Sequence, residues 1–354
     1  MMLEKVLSYY GINSDASFRT YGNGLINTTW HIIDSSDEYI LQKVNSDVFK
    51  NPFDIAYNIE TIASYIKENN SGYFLVTPLK TLENKTMVFL PEAGYFRCAP
   101  FIAGSRSYEV TTQPEQAFEA ASQFGLFTKS LKNLPVENLK VTIPNFHNLS
   151  FRYEQYVQAL KHGNTERIKE AENEINFLTS QNHIVSTFNK IRSANSFISR
   201  VTHHDTKINN VLFNGQDKSI CVIDLDTIMP GYFISDLGDM MRTYLSPVNE
   251  EEKDFSKIEI RDEYFKAIID GYMKSMRDVL TSDELGQIVY AGMFLTYMQA
   301  LRFLTDHLNN DIYYGASYEG HNFVRAQNQV VLLKKLIEKE ERLNLIVKKS
   351  IATN

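Results

Sequence analysis

Up to about residue 100 the chain alternates short apolar runs with Gly, Asn and Pro punctuation, the pattern of strands joined by turns. The runs TTWHII, EYILQKV, KTMVFL and GYFRCAPFI are rich in β-branched and aromatic residues and predict an antiparallel sheet. One segment between them has a different period. From Pro52 to Asn70, residues Ile55, Ile59, Ile62, Ala63 and Ile66 recur on one helical face. Beyond residue 104 the helical period dominates, with helices predicted over roughly 114–133, 151–162, 165–193, 251–279, 283–309 and 323–349. A short island, NNVLFN followed by SICVIDLD, reads as strand instead. The charged stretch LKKLIEKEERLNLIVKK is a solvated helix face, and no internal repeat or heptad array is present. The pattern predicts an α+β chain of two lobes: a β-rich lobe over 1–100 and a mainly helical lobe over 101–354. A cleft between such lobes is where a small ligand binds.

Composition narrows the function classes. The 354 residues are 43% hydrophobic, enough for a large core, and the formal net charge is −7. An acidic balance argues against a nucleic-acid or anionic-membrane partner, since phosphate backbones call for excess Lys and Arg. Cys98 and Cys221 each sit inside an apolar run and read as buried free thiols. The start, MMLEKVLSYYG, lacks the features of a signal peptide, and no run is long and apolar enough to span a membrane. A cytoplasmic protein is expected.

The stretch RVTHHDTKINNVLFN carries the chemistry. Asp205 is followed five residues later by Asn210, and fourteen after that by Asp224 in the strand-end motif VIDLD. Phosphoryl transfer needs a carboxylate to orient and deprotonate a hydroxyl, hard oxygen ligands for Mg²⁺, and positive charge on the transferring group. Asp205 suits the base, Asn210 and Asp224 the metal ligands, and Lys207 a cation near the γ-phosphate. His203 would hold the loop through its ring. A zinc site built from His203, His204 and Asp205 is disfavoured, because three adjacent positions do not easily converge on one ion.

This loop and VIDLD resemble the aminoglycoside phosphotransferase and choline kinase superfamily, whose fold is protein-kinase-like. The blocks YGNGLINTTW, YILQKVN, VTHHDTKINNVLF, VIDLDTIMPG, DLGDMMR, LRFLTDHLNNDIYY and HNFVRAQNQ, spread between residues 18 and 335, more closely resemble the bacterial N-acetylhexosamine 1-kinases. The resemblance implies ATP-dependent phosphorylation of the anomeric hydroxyl of N-acetylglucosamine and N-acetylgalactosamine, with Mg²⁺. It implies Asp205 as catalytic aspartate, Asn210 and Asp224 as magnesium ligands, and Asp226, Arg302 and Tyr313 on the sugar side. Asp226 as a loop-structuring carboxylate, and Arg302 with Asp306 as an i,i+4 helix pair, remain open. So do a different sugar, a choline-like alcohol or an aminoglycoside as acceptor, and a catalytically silent binding module.

The nucleotide side is placed by the same likeness. Gly22 and Gly24 would give a loop whose backbone N–H groups cover phosphates. Kinase-like folds put a lysine on a central small-lobe strand, paired with a helix glutamate. Gln42 aligns with that lysine, with Glu60 as the helix partner; Lys43, its neighbour on the opposite strand face, is the alternative phosphate ligand, since only one of the two can face ATP. Adenine would pair with the backbone of the lobe connection, at Pro100 and Ile102.

Overall fold

The computed structural model describes residues 2–22, 26–69 and 72–353. The chain opens with a short helix, Met2–Tyr9 (α1), then Ser17–Thr20 (β1), Thr28–Asp34 (β2), Asp37–Val44 (β3), the helix Pro52–Glu68 (α2), Val88–Leu90 (β4) and Gly94–Pro100 (β5). The strands form one antiparallel sheet in the order β1-β2-β3-β5-β4.

Strand alternation gives this sheet two unlike faces. On one, Ile32, Leu41, Phe96 and Cys98 pack beneath Val6 and Leu7 of α1. Lys43 is paired with Phe96 and shares that outer face. On the other, Val44 joins the cluster that includes Ile55 and Ile59 of α2, and Gln42 stands opposite Arg97.

The second lobe contains Pro114–Ser130 (α3), Leu149–His162 (α4), Thr165–Glu170 (α5), Glu172–Ser180 (α6) and His183–Ser193 (α7). Four short strands follow, Arg200–Thr202 (β6), Val211–Phe213 (β7), Ser219–Val222 (β8) and Met229–Gly231 (β9). Here β7 and β8 form a hairpin and β6 pairs with β9. The helices Phe233–Tyr244 (α8), Asp262–Met276 (α9), Ser282–Leu285 (α10), Ile288–Leu308 (α11), His321–Glu338 (α12) and Glu340–Thr353 (α13) complete the chain. This is an α+β, two-lobed fold with a small antiparallel β-rich N-terminal lobe and a large, mainly helical C-terminal lobe.

Central to the helical lobe is α11, packed against α4, α8 and α12. Gly238 lets α8 approach it closely, since a Cβ at that position would collide with the Ala291 carbonyl oxygen. Between the lobes, Phe101 N–H donates to the Glu38 carbonyl at 2.9 Å. Farther on, Arg106 and Phe213 exchange backbone hydrogen bonds in both directions, 2.9 and 2.8 Å.

Some elements depart from the sequence pattern. The helix expected over 165–193 is three helices, interrupted at Ala171 and at Gln181 and Asn182. The one expected from 251 begins at Asp262. Helices α1 and α8 and strand β1 were not expected. Among the described residues no helix is long and apolar enough to cross a membrane.

Candidate active site

Strand β6 ends at Thr202 and delivers the chain into the loop 203–210. Its start is fixed by Arg200, whose two terminal nitrogens donate to Glu284 at 2.8 and 3.1 Å in the interior. His203 is fully buried. The Asp205 N–H donates to its Nδ1 at 3.4 Å, so the other nitrogen, Nε2, donates to the Ile223 carbonyl at 3.0 Å. One imidazole therefore ties the loop to the strand end that carries Asp224. His204 adopts a left-handed φ of 68°, with Gly231 so close that a Cβ there would strike its ring.

Two carboxylates on α8, unassigned from the sequence, support the loop from below. Asp236 accepts the backbone N–H groups of His203 and His204 at 3.0 and 2.7 Å, and Asp239 accepts that of Thr206 at 2.9 Å. Burial pushes the Asp236 carboxyl up to about 7, while the two N–H donors oppose the shift. The clue lay in the block DLGDMMR, where acids three residues apart share one helical face.

The structure brings Asp205, Lys207, Asn210 and Asp224 together. Asn210 donates from its side-chain amide to the Asp205 carboxylate at 3.1 Å and to the Asp205 carbonyl at 2.9 Å. Its own carbonyl accepts the N–H of Ile223, the residue before Asp224, at 2.9 Å. Lys207 lies 3.9 Å from Asp205, and that carboxylate raises its pKa. Asp224 has a left-handed φ of 59°. The residue is exposed, yet the protein groups around its carboxyl displace water and push it up to about 7. Asp226 and Asp205 push the same way, and Arg97 and Lys207 oppose them.

That donor set fits a hard divalent cation. It offers oxygen ligands and an excess of negative charge, both of which Mg²⁺ favours. Among the described residues no three His, Cys, Asp or Glu side chains cluster as a metal cage. Mg²⁺ commonly takes one or two protein ligands and completes its shell with water and phosphate oxygens.

Asp226 is 2% exposed. Arg97 donates to one of its oxygens, and Asn27 donates to the other at 2.7 Å. Both partners come from the small lobe, so the carboxylate does tether a loop, and it also joins the lobes.

Beside the loop lies a ring of contacts that includes Arg302, expected from the sequence on the sugar side. His147 and His204 both reach the Ser235 hydroxyl. Phe146 stacks on His147 with centroids 4.4 Å apart, and the Arg302 guanidinium lies 5.4 Å from the centres of both Phe146 and Tyr314. Arg302 does not pair with Asp306. Asp306 instead accepts the N–H groups of Tyr313 and Tyr314, at 2.7 and 2.9 Å, and the Asn322 amide. The Tyr313 side chain is largely exposed at the edge. Arg152, overlooked in the sequence, belongs here too: burial and then Arg302 lower its pKa to about 10.

Two nucleotide-side expectations are corrected. Lys43 points to the outer face with its Cε beside Gly94, because strand alternation turns it away from Gln42. Glu60 meets neither Gln42 nor Lys43. It bonds Lys80 and Thr86, both at 2.8 Å, on the rim of a surface cavity of about 420 Å³. Gly22 has φ of 72° with open space around it, whereas Gly24 lies outside the described residues. Pro100 ends β5 and Ile102 follows in the lobe connection, where its carbonyl accepts the Ser105 hydroxyl at 2.6 Å.

The model of the phosphotransferase enzyme family matches residues 17–272. The chain belongs to that family. Among solved structures, this phosphotransferase is similar to a microcompartment-associated aminopropanol kinase, at 15% identity and a TM-score of 0.69 over 97% of this chain and 98% of the other. A spectinomycin phosphotransferase in complex with ADP and spectinomycin matches at 14% identity and 0.61, over 96% and 98%. A choline kinase from Streptococcus pneumoniae matches at 13% and 0.55, over 95% and 98%. At these identities the likeness is one of fold, the kinase-like two-lobed architecture.

Proposed function

We propose that this small-molecule phosphotransferase is an ATP-dependent N-acetylhexosamine 1-kinase. The observation that carries the acceptor is the pair of guanidiniums, Arg152 and Arg302. Neither has a carboxylate partner among the described residues, whereas Arg242 and Arg325 share Glu250. A wall of this kind offers N–H donors and positive charge. It suits an oxygen-rich neutral sugar and repels the ammonium groups of choline-like alcohols and aminoglycosides. Arg302 and Tyr313 would fix the ring. Asp226 would accept a sugar hydroxyl, since each carboxylate oxygen has a second lone pair.

Asp205 would orient the anomeric hydroxyl and take its proton as the phosphorus–oxygen bond forms, with ADP leaving. Lys207 would offset charge on the transferred group. Mg²⁺, held by Asn210 and Asp224, would supply charge neutralisation to the phosphates. Gly22 and the backbone around Pro100 and Ile102 would cover the nucleotide.

The test is a panel of acceptors with ATP and Mg²⁺, the product identified by phosphorus NMR. N-acetylglucosamine and N-acetylgalactosamine are expected to give α-1-phosphates, with glucose at least about tenfold poorer in kcat/KM, since groups that pair with the acetamido function would be left unsatisfied. Phosphate at the 6-position, or a choline-like or aminoglycoside acceptor outperforming both sugars, would overturn the assignment.

A further inference from the structure

We propose that Arg97 on β5 is the small-lobe cation that binds the nucleotide phosphates, oriented by Gln42 and balanced by Asp226. The inference rests on the chain being a nucleotide-dependent phosphotransferase, not on which acceptor it uses.

The strand position facing the cleft on β3 is a neutral glutamine, and the adjacent lysine faces away. The positive charge on that face comes instead from the neighbouring strand, where the register sets Arg97 opposite Gln42. The Gln42 side-chain oxygen accepts from both Nε and Nη2 of Arg97, at 2.9 and 2.8 Å. These two bonds fix the plane of the guanidinium. Nη1 then donates to Asp226.

A guanidinium has five N–H donors in a rigid fork. Three are engaged in these bonds, so among the described residues one N–H on each terminal nitrogen remains for a ligand oxygen. Arg97 is 5% exposed, and a buried cation persists only where anions hold it. The anions here are Asp226 and, close by, Asp224. Because Asp224 is the candidate metal ligand, phosphates sharing a cation with it would lie beside Arg97.

The usual counterion of such a cation, a glutamate on the small-lobe helix, is missing from this face, since Glu60 is on the surface with Lys80. Asp226 takes its place from the other lobe. The phosphate-binding charge is therefore positioned by a residue next to the metal site.

Calorimetric titration of the purified protein with MgADP and, separately, with adenosine tests this without any acceptor. Arg97→Gln is expected to weaken ADP at least about tenfold and leave adenosine within about twofold. Exchanging the pair, as Gln42→Arg with Arg97→Gln, is expected to recover most of the ADP affinity by returning the charge from β3. Equal losses for ADP and adenosine would reduce Arg97 to a structural tether, and unchanged ADP binding would remove it from the site; either overturns the proposal. Should Arg97→Gln not fold, Arg97→Lys decides the matter: a loss confined to ADP supports the proposal, and an equal change or none overturns it. A wild-type protein binding neither probe would instead defeat the nucleotide-dependent reading itself.

Discussion

Asn210 donates from one side-chain nitrogen to both the carboxylate and the backbone carbonyl of Asp205. The proposed base is thereby held by a proposed metal ligand, and the two are oriented as a unit. Asp205→Asn keeps the volume but removes the proton acceptor. Turnover is expected to fall by about 10²–10⁴-fold with MgADP affinity nearly unchanged. Retention of a third or more of the wild-type rate in a steady-state assay would exclude Asp205 as base.

Asp224→Ala addresses the metal. Nucleotide affinity is expected to fall when Mg²⁺ is present and to change little in EDTA, because the carboxylate acts through the ion. Parallel titrations in the two buffers separate this from general damage, which would lower both.

Asp236→Ala would strip the acceptor from two buried backbone N–H groups. A loss of about 2–4 kcal/mol is expected from the two unsatisfied donors, together with loss of activity. Urea denaturation measures the first. A variant as stable as the wild type would show that the loop does not depend on this carboxylate.

His204 sets an acid limit. Burial lowers its pKa from the usual 6.5 to about 3, so the folded protein excludes a proton that the unfolded chain binds below 6.5. Its contribution to stability is complete above that value and is lost as pH falls towards 3, at up to about 1.4 kcal/mol per pH unit. His204→Asn, a residue that accepts the left-handed φ, should show a smaller drop in denaturation midpoint between pH 7 and pH 5 than the wild type. Equal drops would assign the acid sensitivity elsewhere.

What the sequence revealed follows from which residues have one wet side. Strands β2, β3 and β5 and helices α2, α3 and α12 show a period because one face meets solvent or a cleft. Helix α8 has a polar stripe, Asp236, Asp239 and Arg242, but that stripe is buried like the apolar one, as is every residue but one of Phe233–Tyr244, and the helix beneath the loop 203–210 was missed. The motif spacing singled out Asp205, Asn210 and Asp224, which one loop and one hairpin bring near one another. The partners Arg97 and Asp226, 129 residues apart, have no spacing rule to reveal them. Only the strand register and the closure of the lobes bring them together.

The reciprocal backbone bonds between Arg106 and Phe213 shorten the pivot of the molecule. They pin the connecting segment to the large lobe, so any rotation that parted the lobes would be taken up largely in the few residues after Pro100. A short pivot allows swing but little sliding. The Arg97–Asp226 pair lies across that swing, so parting the lobes there means separating two charges in the interior, a step that is strongly unfavourable until water or a phosphate replaces the lost partner.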